Sequence, residues 1–184
     1  MELRQIGART VRIDGPESRH SVLLLPAAAE PGTVYDDVCT RLHNSGLRTI
    51  VAETLDGLDE AGIAAILDEL KIGWVNLVGS REGAGLAWLF AARTFGRVAS
   101  LVVADCCHPA VPDLNGEVLA ADCPPVELPT TLIIGSSLLR PQADVSGRKV
   151  YADFRIVQLD GVDNVPLKAA AEMATEIVLR TSSW

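Results

Sequence analysis

Between Trp74 and Thr94 the sequence reads WVNLVGSREGAGLAWLFAART. Trp74 to Gly79 is an apolar run of strand length, and it enters a tight turn bracketed by Gly79 and Gly83. From Ala84 to Thr94 the apolar residues fall on nearly every helical face, so this helix has to be packed on several sides. A strand that turns at once into a buried helix is half of a crossover unit. Such units require a mostly parallel sheet with both faces covered.

The same alternation predicts the rest of the chain. Residues around Gly7 and Ala8 join two short runs, ELRQIG and RTVRID, into an N-terminal hairpin. His20 to Leu25 reads as a buried strand closed by Pro26, and Thr33 to His43 as a helix ended by Gly46. Arg48 to Glu53 is the next strand. Asp56 is placed to cap a helix carrying Ile63, Ile66, Leu67 and Leu70 at helical spacing. Strands follow at Val98–Ala104, Thr130–Ile134 and Phe154–Leu159, with a proline-rich loop over residues 105–129. Val165 to Leu179 closes the chain as one helix with Ala169, Ala170, Met173, Ala174 and Ile177 on its apolar side. Trp74, Trp88 and Tyr35 take core spacings, and the terminal Trp184 is either disordered or seals an interface. The expected architecture is a single domain over residues 1–184: a three-layer α/β/α sandwich with a mostly parallel sheet and an N-terminal antiparallel hairpin. Right-handed crossovers place ligands beyond the carboxyl ends of its strands.

Charge narrows the partners. The formal net charge of −8 argues against nucleic acid or an anionic membrane surface. No apolar run reaches spanning length, and the N-terminus lacks an apolar signal core, so the expectation is a soluble cytoplasmic protein. Cys39, Cys106, Cys107 and Cys123 show no C-x-x-C spacing, which points to reduced thiols rather than zinc ligands. Gly79, Gly83 and Gly85 form neither a dinucleotide fingerprint nor a phosphate loop, and no cofactor or metal is expected.

Four stretches in order resemble the α/β-hydrolase family. LLLPAAA near Leu23 is similar to the strand that enters its oxyanion loop. LVGSREGAGLAWLFAARTFGRVASLVVAD is similar to its nucleophile elbow, the following helix and the next strand. PTTLIIGSS resembles the strand before its catalytic acid, and VQLDGVDNVP the segment that carries its histidine. The resemblance implies a serine at the centre of G-x-S-x-G. Here Gly79 and Gly83 match, but Arg81 occupies that centre and Ser80 stands one residue early. The acid position, three residues past Gly135, falls on Leu138. The histidine position, three past Gly161, falls on Asn164. Serine needs a base and the base an orienting acid, so conventional serine hydrolysis is not expected. The resemblance also leaves the loop between the strands at Ala104 and Thr130 too short for the helical lid of many relatives, so no cap domain is expected and the pocket is shallow, open or covered by a partner.

What the resemblance leaves is an oxyanion cradle, formed by the backbone N–H groups of Glu82 and of Ala28 beside Ala27. Arg81 adds a positive charge at a helix N-terminus, and its planar fork suits a carboxylate or enolate. The alternative is that Arg81 pairs with Glu82, Glu53 or Asp105. Asp105-Cys106-Cys107-His108-Pro109 offers a second grouping, a thiol beside an imidazole, as the ingredients of a cysteine nucleophile. Its alternative is a packed pair of small apolar thiols with Asp105 capping the loop. His20 and His43 read as a strand start and a helix C-terminus, and Asp160 and Asp163 flank the Asn164 loop. Three functions follow. One is a non-hydrolytic pocket protein of cyclase, lyase or isomerase type, which uses Arg81 and Asn164 with Ser80, Glu82 and Leu138 lining the site for a small anionic or carbonyl-containing metabolite. Another is a non-catalytic scaffold subunit with a protein partner, or a homodimer. The third is a hydrolase or transferase using Cys106 or Cys107 with His108.

Overall fold

The computed structural model describes residues 1–182, so Trp184 lies outside the described residues. The strands are β1 (Glu2–Ile6), β2 (Arg9–Asp14), β3 (Ser21–Leu25), β4 (Arg48–Ala52), β5 (Val75–Ser80), β6 (Val98–Ala104), β7 (Thr130–Ile134) and β8 (Phe154–Gln158). They form one sheet in the order β1-β2-β4-β3-β5-β6-β7-β8. The hairpin β1–β2 is antiparallel and turns through Gly7 at φ 61°. β2 runs antiparallel to β4, pairing Val11 with Ala52, and every later pairing is parallel.

The helices are α1 (Asp36–Asn44, after a 3₁₀ turn at Gly32–Tyr35), α2 (Glu60–Glu69), α3 (Glu82–Arg93), α4 (Arg140–Gly147), α5 (Val165–Lys168) and α6 (Ala170–Thr181). They divide between the two faces because successive side chains of each buried strand point opposite ways. Leu23 and Leu25 of β3 share one core cluster with Ile63 of α2, Trp88 of α3 and Ala143 of α4. Val22 and Leu24 of the same strand pack with Leu42 of α1 and Met173 of α6. All five residues of β3 are buried, as a strand covered on both faces requires. The three-layer arrangement expected from the alternation is therefore present, and no helix is inserted between β6 and β7. Among the described residues no helix is long and apolar enough to cross a membrane.

Four local expectations are corrected. The cap of α2 is Asp59, whose Oδ1 accepts from the Gly62 N–H at 2.7 Å; the Asp56 N–H instead donates to the Thr54 hydroxyl. The closing helix is broken at Ala169 (φ −133°, ψ 42°), so Asn164 caps α5 and α6 starts afresh. Helix α4 has no counterpart in the sequence reading, because RPQADVSG buries only Ala143 and Ser146 and shows no apolar stripe. Trp74 is 36% exposed and meets His20 edge-on at 5.6 Å, whereas Trp88 and Tyr35 are fully buried.

Strand order reverses at β3, with β4 on one side and β5 on the other. Open sheets present a crevice at such a point, outside the carboxyl ends of the strands. The loops after β3 and β5 flank this crevice, and those after β6, β7 and β8 follow along the same edge.

Candidate functional site

Arg81 is the apex between β5 and α3, at φ 50° and ψ −117°. Its N–H donates to the Ala104 carbonyl at 2.9 Å, and its own carbonyl accepts from Gly85 at 2.9 Å. The flanking glycines are required by contact rather than by φ. A Cβ on Gly79 would collide with the backbone of Gly83 and Ala84, and one on Gly83 with the carbonyl oxygens of Leu25 and Pro26. The turn thus draws the start of α3 against both β5 and the loop after β3. A non-glycine residue held at such angles stores about 1–3 kcal/mol of strain. Arg81→Gly is accordingly expected to be more stable than Arg81→Ala by about 1 kcal/mol in urea denaturation, since both lose the side chain and only one relieves the backbone.

The guanidinium does not pair as expected with Glu82, Glu53 or Asp105. It lies 3.6 Å from Glu30 Oε1 and donates to the Asp163 carbonyl. Glu30 Oε1 also accepts from Asn164 Nδ2 at 2.8 Å, so one carboxylate gathers the loops after β3, β5 and β8. Glu53 is engaged by Arg12 at 3.5 Å, and the Asp163 carboxylate by Lys168 at 2.7 Å. The oxyanion cradle is altered as well. The Ala28 N–H donates to Glu82 Oε1 at 3.0 Å, which places the chain's own carboxylate where the anion of a ligand was expected. Ala27 and Ser80 are buried at 2% and 3% exposure. Both the cation and the amide of the expected anion site thus have acidic partners within the chain.

A cavity of about 710 Å³ opens beside the apex. Leu55 and Leu58 wall it ahead of α2, Leu86 and Leu89 from α3, Val111 and Leu119 from the segment after β6, and Leu138 from the loop after β7. The segment after β6, too short for a lid, supplies one of the walls. The charged groups at the cavity are Arg81, Glu82, Asp105, Asp113 and Glu117. Asp105 follows β6 at φ 56°, and its Oδ1 accepts from the Gly135 N–H at 2.7 Å. Burial raises its carboxyl above the usual range; the Gly135 amide, the Arg81 charge and the Ser137 amide oppose the rise.

The cysteine grouping does not assemble a nucleophile and base. Burial pushes the Cys106 thiol up to about 12, with Cys107, Glu82, Asp113 and Asp105 adding to the effect, and burial raises Cys107 as well. His108 is fully buried, Cys123 Sγ lies 3.7 Å from its Nε2, and both ring nitrogens bond the backbone. Its Nδ1 accepts from the Ala110 N–H at 3.1 Å, which leaves Nε2–H to donate to the Pro124 carbonyl at 2.9 Å. Burial depresses its pKa, and the Pro124 bond opposes the drop. Of the other histidines, His43 bonds the Thr49 hydroxyl at 2.8 Å and His20 meets Trp74 edge-on. Among the described residues no group of three His, Cys, Asp or Glu side chains is placed to hold a metal ion. Glu30 and Asp105 are the participants that sequence reasoning missed or cast otherwise. Glu30 belongs to no motif, and Asp105 was read as a loop cap. The one signal for Asp105 was its place directly after a strand.

No family model matches the chain, and no curated protein matches it in sequence. Solved structures match over nearly all of it. An epoxide hydrolase from metagenomes of hot environments superposes with TM-score 0.81 at 14% identity, covering 100% of this chain and 99% of the other. An enol-lactonase from Burkholderia xenovorans superposes with TM-score 0.79 at 13% identity, over 99% and 100% of the two chains. An α/β-hydrolase enzyme from a lagoon-sediment metagenome gives 0.78 at 17% identity, over 96% of each. The fold is that of the α/β hydrolases. At these identities the likeness extends to the fold alone.

Proposed function

We propose that this chain is a non-hydrolytic protein that binds a small, mainly apolar metabolite in the cavity beside Arg81. The observation that carries the reading is the state of the apex. An arginine tied to Glu30 and Asp163 occupies the point at which a nucleophile would need a free hydroxyl and a neighbouring base. By the family resemblance Leu138 and Asn164 take the positions of acid and histidine, and neither side chain relays a proton at neutral pH. The cavity volume falls within the range of small-molecule sites, about 300–1,000 Å³, and its walls are aliphatic as in such sites. A cyclase, lyase or isomerase that depends on an unpaired Arg81 is less well supported, since the guanidinium already has two partners.

The test joins turnover to binding. With p-nitrophenyl acetate and butyrate, the purified protein is expected to release nitrophenol at the rate of buffer alone. Apolar probes of matching size are expected to raise its melting temperature, as ligands specific for the folded state do. Saturable ester hydrolysis that disappears in Ser80→Ala or Cys106→Ala overturns the reading.

Glu30 offers a companion prediction. Glu30→Gln keeps an acceptor for Asn164 but removes the charge opposite Arg81. Small carboxylates such as acetate and butyrate are expected to bind this variant about ten-fold more tightly than the parent by calorimetry, close to the strength of one charge-assisted hydrogen bond.

A further inference from the structure

The reading above leaves the ligand's polar head open. We propose that this head is a protonated amine, held by the Asp105 carboxylate at the end of the apolar cavity. The inference rests on that reading of the pocket and adds the chemical class of what enters it.

The first argument is the sign of the charge at the cavity. Glu82, Asp105, Asp113 and Glu117 line it against a single arginine, and that arginine already faces Glu30. A carboxylate ligand would bring a further negative charge into this surface. An ammonium group would meet the sign it needs, in a partly desolvated space where such interactions gain strength.

The second argument is that these carboxylates are held in place. Asp105 Oδ1 accepts from the Gly135 N–H at 2.7 Å. Glu82 Oε1 accepts from Ala28 at 3.0 Å, and Asp113 Oδ1 from the N–H groups of Asn115 at 2.8 Å and Glu117 at 3.0 Å. Backbone amides therefore fix three negative groups before any ligand arrives, and little ordering remains to oppose binding.

The third argument singles out Asp105. It is 8% exposed, yet it lines the cavity rather than pairing with a lysine or arginine at contact distance. Its backbone is held at φ 56°, and Arg81 beside it at 50°. Two strained non-glycine residues at the ends of adjacent strands border the same space, and strain of this kind concentrates at ligand sites. A buried carboxylate that borders a cavity, with the Gly135 and Ser137 amides as its partners, is stabilised by a donor that carries positive charge, and a primary or secondary ammonium on an apolar body supplies one. Arg81 also borders the cavity, but its guanidinium is already engaged by Glu30 and the Asp163 carbonyl.

Three probes with one body and three heads test the proposal on the full chain by calorimetry: 4-phenylbutylamine, 4-phenylbutanol and 4-phenylbutyrate. The amine is expected to bind at least about ten-fold more tightly than the alcohol, with the carboxylate weakest. Asp105→Asn retains an acceptor for Gly135 and is expected to bring the amine down to the affinity of the alcohol. Glu82→Gln, farther along the wall, is expected to narrow the preference by about three-fold, and it covers the case in which the Asp105 variant does not fold. An alcohol or carboxylate that binds as well as the amine, or an amine preference that survives Asp105→Asn, overturns the amine assignment and leaves the pocket standing. Failure of all three probes at millimolar concentration overturns the pocket itself and the amine with it.

Discussion

Gly83→Ala is expected to lower stability by about 3 kcal/mol, a large share of the roughly 5–15 kcal/mol that holds a domain folded. The added methyl has nowhere to go, since the nearest atoms are the carbonyl oxygens of Leu25 and Pro26. These are backbone atoms at the end of a central strand, and β3 is hydrogen-bonded on both sides, to β4 and β5. Moving them shifts either the sheet or α3, and α3 is packed along β5 and β6 with Ala84, Ala87 and Trp88 fully buried. Helix propensity favours alanine over glycine by about 1 kcal/mol, so a stabilising result would show that the close approach is absent. Gly73→Ala is the control: nothing lies within 4 Å of its added Cβ, and its φ is not left-handed. It is expected to leave the denaturation midpoint within about 0.5 kcal/mol of the parent. The comparison bears on function, because the contact that excludes a side chain at Gly83 also fixes Arg81 above the crevice.

Much of this scaffold could be read before any coordinates, and the reason is periodicity. Strands β6 and β7 fall where the apolar runs put them, because strands buried on both faces leave an uninterrupted hydrophobic signature. The elbow was legible for a different reason: Gly79 and Gly83 record two close backbone approaches, and such contacts leave glycine in the sequence. Helix α4 left no trace because it buries two small residues. The break at Ala169 was hidden because alanine is at home inside a helix. The site was less legible than the fold. Arg81 was found through its position in the turn, but its partner could not be. Glu30 and Asn164 are 134 residues apart, and neither carries a local pattern that points to the other. The same holds for the Glu82 carboxylate on the Ala28 amide, since sequence shows that a backbone donor exists and not what already occupies it.

Trp88→Ala is expected to cost about 4 kcal/mol and to abolish binding of apolar probes in whatever fraction remains folded. Trp88 is fully buried in the core cluster that joins α3 to β5 and β6. Its indole N–H donates to the Cys106 carbonyl at 3.0 Å, and its ring meets His108 edge-on at 5.3 Å. It thus supports from below the segment after β6 that goes on to wall the cavity with Val111 and Leu119. Truncation empties a large volume and leaves the Cys106 carbonyl without its donor, so transfer, cavity and hydrogen-bond losses act together. Trp88→Phe separates them. It retains most of the apolar volume, keeps an edge for His108 and loses the indole N–H, and it is expected to cost about 1–2 kcal/mol. If the segment after β6 is held mainly through that bond, Trp88→Phe will also raise backbone amide exchange at residues 106–111 while exchange in β5 stays at the parent rate. Unchanged exchange there, or equal destabilisation by the two variants, would show that the wall of the cavity is carried by the chain beyond Val111 and not by the tryptophan beneath it.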